Sequence, residues 1–577
     1  MVQRPSNSPL VVYAFLKIFA KFLARARFAE VRLSMSQLTG QPILILKEGT
    51  SRSGGRDAQK SNIMAAEIIG EVVKTTLGPR GMDKMLVDTL GDVTITSDGA
   101  TVLEEIEVQN PAAKMIVEVA KTLDEEVGDG TTTAVILASE LLRKAEVLLE
   151  SGVHPTTIVA GFKKASDKAV EVLNQLSKPV SLADKATLKK VAITSMSGKG
   201  VGEAIEHFAG IATDAITQIM EKREVSNFAD LDNIQLIKKE GKRLLDTQLI
   251  KGIVIDKEVV NPRMPKALTN AKIALIDCAL EIEKTEFSAE IRIVDPAQMK
   301  AFMDEETRMM QTMTEKIKAT GANVVLCQKG IDDMVQHFLA KDGMMAVRRI
   351  KKSDMEKLSK ATGAKIVTNL DDLTAKDLGA AGRVEERTMG EEKMIFIEGC
   401  KNPKSLAILI RAGLDTMVDE AERAIDDALS AVAAVVAKNR IVFGGGAIEM
   451  ELAKRLRSYA TRVGGREQLA VEAFAETLEF IPRTLAENAG LDPIDTMVAM
   501  KTAHGKKTGL AAGVDLYSGK VKPMSRLGVL EPTRVKEQAI RSAAEAASMI
   551  LRIDDIVTAA KPPPTPPKGP EGEMPPY

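Results

Sequence analysis

The chain has 577 residues, well beyond the ~250–300 at which one hydrophobic core stops growing, so several domains are expected. Hydrophobic residues make up 45%, which excludes global disorder, and aromatics only 3% with no Trp, which argues against ligand recognition by ring stacking. Seventy-nine basic against eighty acidic residues exclude the basic excess of a nucleic-acid binder.

In chain order, residues 1–34 look foreign to the rest. Val11 to Leu33 is apolar but interrupted by Lys17, Lys21, Arg25, Arg27 and Arg32, so it cannot span a membrane uninterrupted. Met35 opens a segment that reads as a natural start, and 1–34 are expected to be an extension, with Met1 and Met35 both open as the start. From Ser61 a helix is expected with Ile69, Val72, Val73 and Thr76 on one face, ended by Gly78-Pro79. A hairpin of 85–88 and 93–98 follows, then two helices flanking Gly128-Asp129-Gly130, the second running to about Leu149. Residues 154–222 read as further helices. Near Ile234 the texture changes to short β-rich runs, GIVIDK, KIALID, ANVVLCQ, AVRRI, KIVTNL and MIFIEG, which define an α/β module over 252–405. Within it, 287–316 reads as a helical protrusion carrying Met299, Phe302, Met303, Met310 and Met313 at helical spacing. A long helix is expected from Thr416 to Lys438, and helical texture from there to Ala560 apart from the Gly444-Gly445-Gly446 break. The proline-rich end, 561–577, is expected to be a disordered tail.

Cys278, Cys327 and Cys400 are odd in number and lack ligand spacing, which excludes a disulfide framework or zinc site and fits a reducing cytoplasm. His154, His207, His337 and His504 have no partner at metal-ligand spacing, so chemistry falls to carboxylates, hydroxyls, lysines and backbone amides. Neither GxxxxGK[ST] nor GxGxxG is present. Three turns rich in Gly, Asp and hydroxyls stand within sixty residues instead: 76–81, 97–101 and 128–133. In the last, two glycines let backbone approach a phosphate, a helix opens at Thr131, and Asp129 stands where a magnesium ligand would. A capped helix after a tight turn is the plain alternative.

The blocks TTLGPRGMDKMLVD (75–88), TITSDGATVL (94–103), VGDGTTTAV (127–135) and FGGGA (443–447) resemble the signatures of the chaperonins. ILKEGT (45–50), TSMSGKG (194–200), LAENAGLDPID (485–495) and GVDLYSGKV (513–521) resemble the group II branch, which comprises the archaeal thermosome and the eukaryotic cytosolic TCP-1 ring complex. The similarity runs in register from Gln41 to Ile556, with Arg80 where Lys is common and Ala412 where a second Gly is usual.

The resemblance implies a multidomain α and α/β chaperonin fold. It comprises a mostly helical equatorial domain (35–181 and 442–560), a small intermediate domain (182–251 and 406–441), and an inserted α/β apical domain (252–405) with its protrusion as a lid. It implies ATP and Mg2+ as cofactors. Leu77, Gly78, Pro79, Asp98, Gly99, Gly130, Thr131, Thr132 and Thr133 would line the nucleotide, with Asp129 on the metal. Gly445 would face the ribose, Glu531 the ribose or adenine, and Lys199 would sense the γ-phosphate. Asp88 and Asp427 would be catalytic, orienting a water for in-line attack; composition alone does not choose between Asp427 and Asp426. The partners implied are non-native protein clients and a double ring of related subunits, about eight or nine per ring, with no nucleic acid and no stable membrane association. Two other readings remain at this stage: a small-molecule kinase with its substrate pocket in 252–405, and an ATP-binding scaffold without turnover.

Overall fold

The computed structural model describes residues 51–221, 227–282, 296–390, 392–401, 403–506 and 508–558. The extension 1–34, the ILKEGT block, the start of the protrusion (287–295) and the tail 561–577 lie outside the described residues. Within the described residues, Ser53–Ile556 forms one compact unit.

Three hydrophobic cores organise it. The first is helical and is built from both ends of the chain: Ile63 and Ile69 of helix Arg56–Lys74 share it with Ile136 of Thr131–Glu150, Phe162 of Pro155–Leu176 and Phe474 of Gly465–Asn488. Buried positions 63, 66, 69, 70 and 73 follow the 3.6-residue period of a one-sided helix. Thr131–Glu150 is buried from Thr133 to Leu142 without a break, because helices cover it on all sides. Asn110 and Asp492 cap their helices with side-chain oxygens, each followed by Pro at the first helical position, where no amide is needed. Alanines dominate this core, the structural counterpart of the scarcity of rings.

A second core belongs to an inserted α/β module. Its sheet runs Met345–Val347, Val324–Cys327, Ala267–Ile276, Gly379–Met389, Glu392–Glu398, Gly252–Ile255, with Ile366–Val367 beside Ala267–Ile276. All six expected β-rich runs are strands; Gly379–Met389 is an additional one. Its sequence escaped the pattern because only Gly379, Ala381 and Val384 face the core, while Arg387 forks both oxygens of Glu398 at 2.8 Å on the other face. In the protrusion, the described helix is Pro296–Ala319. Its methionines divide: Met310 is buried in the α/β core, whereas Met299, Phe302 and Met303 are 56%, 49% and 60% exposed.

The third core joins Lys185–Met196, Ile205–Ile219 and Asp415–Lys438 to a three-stranded sheet. There Ile234–Glu240, on the way into the α/β module, lies parallel to Leu406–Ala412, on the way out. That pairing closes the insertion at its base. The helical texture expected up to Ala560 is corrected: Ala512–Asp515 and Lys520–Pro523 form a hairpin, and Leu530–Pro532 is a strand. Asp515 fixes the hairpin by accepting from Ser518 Oγ at 2.6 Å and Lys522 Nζ at 2.8 Å, and Gly519 and Gly528 take left-handed backbone that a helix cannot hold. No helix among the described residues is long and apolar enough to cross a membrane.

Candidate active site

One cleft lies where the first and third cores meet, lined by five segments far apart in sequence and by Asp427 of helix Asp415–Lys438. The first is the turn after Arg56–Lys74. Asn488 Nδ2 donates to Lys74 O (3.0 Å) and Leu77 O (2.9 Å), tying the turn to helix Gly465–Asn488, and Gly78 supplies the positive φ of 84°. Thr76, Leu77, Gly78 and Pro79 face the cleft.

The second is Ser97-Asp98. Asp98 caps helix Gly99–Glu105, one carboxylate oxygen accepting from Thr101 N and Oγ1, both at 2.9 Å. Gly99 is not itself part of the lining; a Cβ there would collide with Thr132 Oγ1, so this glycine lets the two turns close together.

The third is the run from Asp129 to Thr133. Gly128 and Gly130 both take left-handed backbone (φ 64° and 80°), which ends one helix and starts the next within three residues. Gly130 N donates to Asp129 Oδ1 at 2.6 Å, and the N-terminus of Thr131–Glu150 opens into the cleft with its free amides. Burial pushes the Asp129 carboxyl above its ordinary value, an effect the Gly130 amide only partly offsets.

The fourth is the last turn of Lys185–Met196 with the loop after it, which contribute Ser195 and then Ser197, Gly198 and Lys199. Lys199 Nζ lies 2.7 Å from Asp427 Oδ2 and 3.2 Å from Asp98 Oδ1, with only 8% of its side chain exposed. Burial alone would lower its pKa, but Asp427 and then Asp98 carry it above the usual ammonium value. The carboxylates respond differently. Burial favours the protonated form of Asp98, yet Lys199 and the Thr101 hydrogen bonds hold it below the ordinary carboxylate range. Asp427, on helix Asp415–Lys438, is pushed well above that range by burial, which Lys199 only partly counters. Asp426, next to it on the same helix, is exposed and does not line the cleft.

The fifth segment runs from Leu530 to Lys536. The strand Leu530–Pro532 pairs with Arg440–Phe443, setting Glu531 opposite Val442 and over the glycine turn that follows. A Cβ on Gly444 would sit 2.5 Å from Glu531 Oε1. Gly445 is not brought to the cleft wall; its carbonyl accepts from Val514 N at 3.0 Å and it packs near Met524.

Asp88 is not brought to the cleft either. It sits exposed at the hairpin turn, where Oδ1 accepts from Leu90 N (2.9 Å) and Asp92 N (2.7 Å). The pair expected as Asp88 and Asp427 is therefore replaced, geometrically, by Asp98 and Asp427. The physical reason is that the hairpin Lys84–Val87 with Val93–Thr96 carries Asp88 outward and returns the chain to the cleft only at Ser97. Sequence reasoning placed Thr76 and Ser97 in its phosphate turns without giving them a role of their own, and missed Thr194, Ser195, Ser197 and Lys536. The serines stand in the same TSMSGKG block as Lys199 and could have been taken with it, whereas nothing in Val535-Lys536-Glu537 marks the lysine.

Among known proteins, the family described as the TCP-1/cpn60 chaperonin family matches residues 69–561. Thermosome subunit beta of Thermococcus kodakarensis is 59% identical over 527 residues, 91% of this chain and 96% of its own. Thermosome subunit alpha of Archaeoglobus fulgidus is 55% identical over 541 residues, 93% of this chain and 98% of its own. The open-state monomer of a group II chaperonin from Methanococcoides burtonii aligns with a TM-score of 0.56 at 44% identity, covering 74% of this chain and all of that one. With a family match across most of its length and relatives this similar from end to end, the chain belongs to the TCP-1/cpn60 chaperonin family, on its group II, thermosome branch.

Proposed function

We propose that this chain is an ATP-hydrolysing chaperonin subunit whose nucleotide site is the cleft between the first and third cores. One observation carries the assignment of the site: Lys199 bridges Asp98, rooted in the helical core, and Asp427, rooted in the core beneath the α/β insertion. The two carboxylates belong to different bodies of the fold, so a reaction needing both is tied to how those bodies close.

The phosphates sit at the N-terminus of Thr131–Glu150, where the amides of Gly130 to Thr133 and the helix dipole favour an anion. Leu77, Gly78 and Pro79 wall the opposite side, and Glu531 takes the ribose. Asp427, whose raised pKa makes it the better base, removes a proton from water while Asp98 orients that water. The water oxygen bonds to the γ-phosphorus, and the bond from that phosphorus to the ADP oxygen breaks. Lys199 stands beside the acceptor position and offers positive charge to the γ-phosphate. The residues fit a magnesium ion: Asp129 is a buried carboxylate on the cleft wall, with the buried Ser195 hydroxyl beside it. Such an ion, bound with the nucleotide, would be held by Asp129 and neutralise phosphate charge.

The domain reading follows: 35–181 and 442–560 equatorial, 182–251 and 406–441 intermediate, 252–405 apical. Relatives named as alpha and beta subunits support assembly into rings of related chains. Clients are non-native proteins, captured on the apical module and enclosed under the protrusion, in the cytoplasm. The test is ATP-dependent refolding of a denatured protein, comparing the parent with Asp427→Ala. Refolding by the parent and mere holding by the variant are expected. ATP consumption without any suppression of aggregation would overturn the chaperone reading and favour a kinase-like one.

A further inference from the structure

Lys536 is a nearly buried cation on the cleft wall with an anion on each side. Its Nζ pairs with Glu531 Oε2 and lies 2.8 Å from Glu449 Oε1. Only 11% of the Lys536 side chain and 3% of that of Glu449 are exposed, against 22% for Glu531. Glu449 stands in the first turn of helix Ala447–Val463, just past the glycine turn, and neither of its carboxylate oxygens has a hydrogen-bond partner among the described residues, which leaves the ion pair with Lys536. Lys536 is therefore what compensates a buried charge at Glu449, and leaving it would strand that charge. The lysine is pinned from behind, and the Glu531 carboxylate is pinned by it in front. Gly444 completes the seat, since a Cβ there would approach the other Glu531 oxygen to 2.5 Å.

A carboxylate held on one oxygen and free to accept on the other is suited to neutral donors such as sugar hydroxyls, not to phosphate. We propose that Lys536, anchored by Glu449, is a positioning residue that fixes Glu531 as the acceptor for the ribose hydroxyls and so sets preference for ribo- over 2′-deoxyribonucleotides. This rests on the assignment of Glu531 to the ribose. A site built to hydrogen-bond a hydroxyl rejects the analogue lacking it, because its own acceptor is then left unpaired. Loosening the acceptor removes the discrimination before it removes the binding. A direct contact of Lys536 with phosphate would instead weaken both nucleotides alike.

The experiment measures kcat/KM of the full chain for ATP and for 2′-dATP in the parent, Lys536→Met, Glu449→Gln and Glu531→Gln. Glu449→Gln acts on the lysine from outside the cleft lining and serves if Lys536→Met does not fold. The ATP-to-dATP ratio is expected to fall on the order of tenfold in all three variants, with KM for ATP rising, since one charge-assisted hydrogen bond is at stake. A parental ratio in Lys536→Met or, should that variant not fold, in Glu449→Gln, with a collapsed ratio in Glu531→Gln, overturns the role of Lys536 while leaving Glu531 on the ribose. An unchanged ratio in Glu531→Gln overturns both.

Discussion

At the scale of single residues, the cleft is decided by which carboxylates share Lys199. Two aspartates face one ammonium, and their environments push their pKa values in opposite directions. Asp98 has a cap to fill and hydrogen bonds that require its charge; Asp427 is more deeply buried beside other carboxylates, which its pairing with Lys199 only partly offsets. Separating two such groups is how one site obtains a fixed anion and a base. Asp98→Asn is therefore expected to lower kcat by about a hundredfold, in the range of lost general acid–base function, and Asp88→Asn to leave hydrolysis within about twofold. Steady-state ATPase rates check both, and a large loss in Asp88→Asn would restore the hairpin aspartate to the site. The pH dependence has a definite sign. Because the Asp427 carboxyl is held above its ordinary ~3.9, kcat/KM, which reports the free protein, should fall as pH drops through a value above the usual Asp range. The same shift stabilises the protonated fold: that stability is full below the unfolded pKa and is lost as pH rises through the raised folded one. A rate flat down to about pH 4.5 would sink the assignment of Asp427 as base.

At the scale of elements, turns rather than helices position the chemistry. The turn after Arg56–Lys74 is closed by its own backbone hydrogen bonds, such as Met82 N to Thr75 O at 2.9 Å, and Asn488 ties it to another helix. Asn488→Ala should cost about 1–2 kcal/mol of stability, because Leu77 O loses its side-chain donor and Lys74 O keeps only the Leu77 amide, and should raise KM for ATP several-fold. Denaturant unfolding together with ATP titration checks this; an unchanged KM would show that the turn is held without it. Arg423 makes a comparable tie on helix Asp415–Lys438. It donates to Ile95 O at 3.1 Å and to Glu420 at 2.9 Å, joining the helix that bears Asp427 to the hairpin that leads to Asp98.

At the scale of the molecule, one chain crosses between bodies twice and closes the crossing with a parallel strand pair. Asp427 stands on the helix that follows the outgoing strand, so the base of the insertion and the cleft are joined through one element. The exposed Met299, Phe302 and Met303 lie on helix Pro296–Ala319 of that insertion and suit contact with varied apolar partners, methionine being flexible and polarisable. Replacing the three by Ser should leave ATP hydrolysis intact and weaken capture of a denatured client. Light scattering during dilution of that client measures it, and undiminished capture would place the client surface elsewhere.

The helices, the six β-rich runs and the phosphate turns were legible in the sequence because each is set by local period, capping or glycine conformation. So was family membership, since long blocks in register are specific by themselves. The family blocks already pointed to Asp427; the placement of Asp88 outside the cleft, the strand Gly379–Met389 and the ion pairs of Lys536 were set only by tertiary structure. Each depends on which segment packs against which: a hairpin carries Asp88 away, a neighbouring strand buries one face of 379–389, and Lys536 gains meaning only between Glu449 and Glu531. Local sequence encodes what a segment can become, whereas burial and charge pairing between segments decide which of its side chains meet.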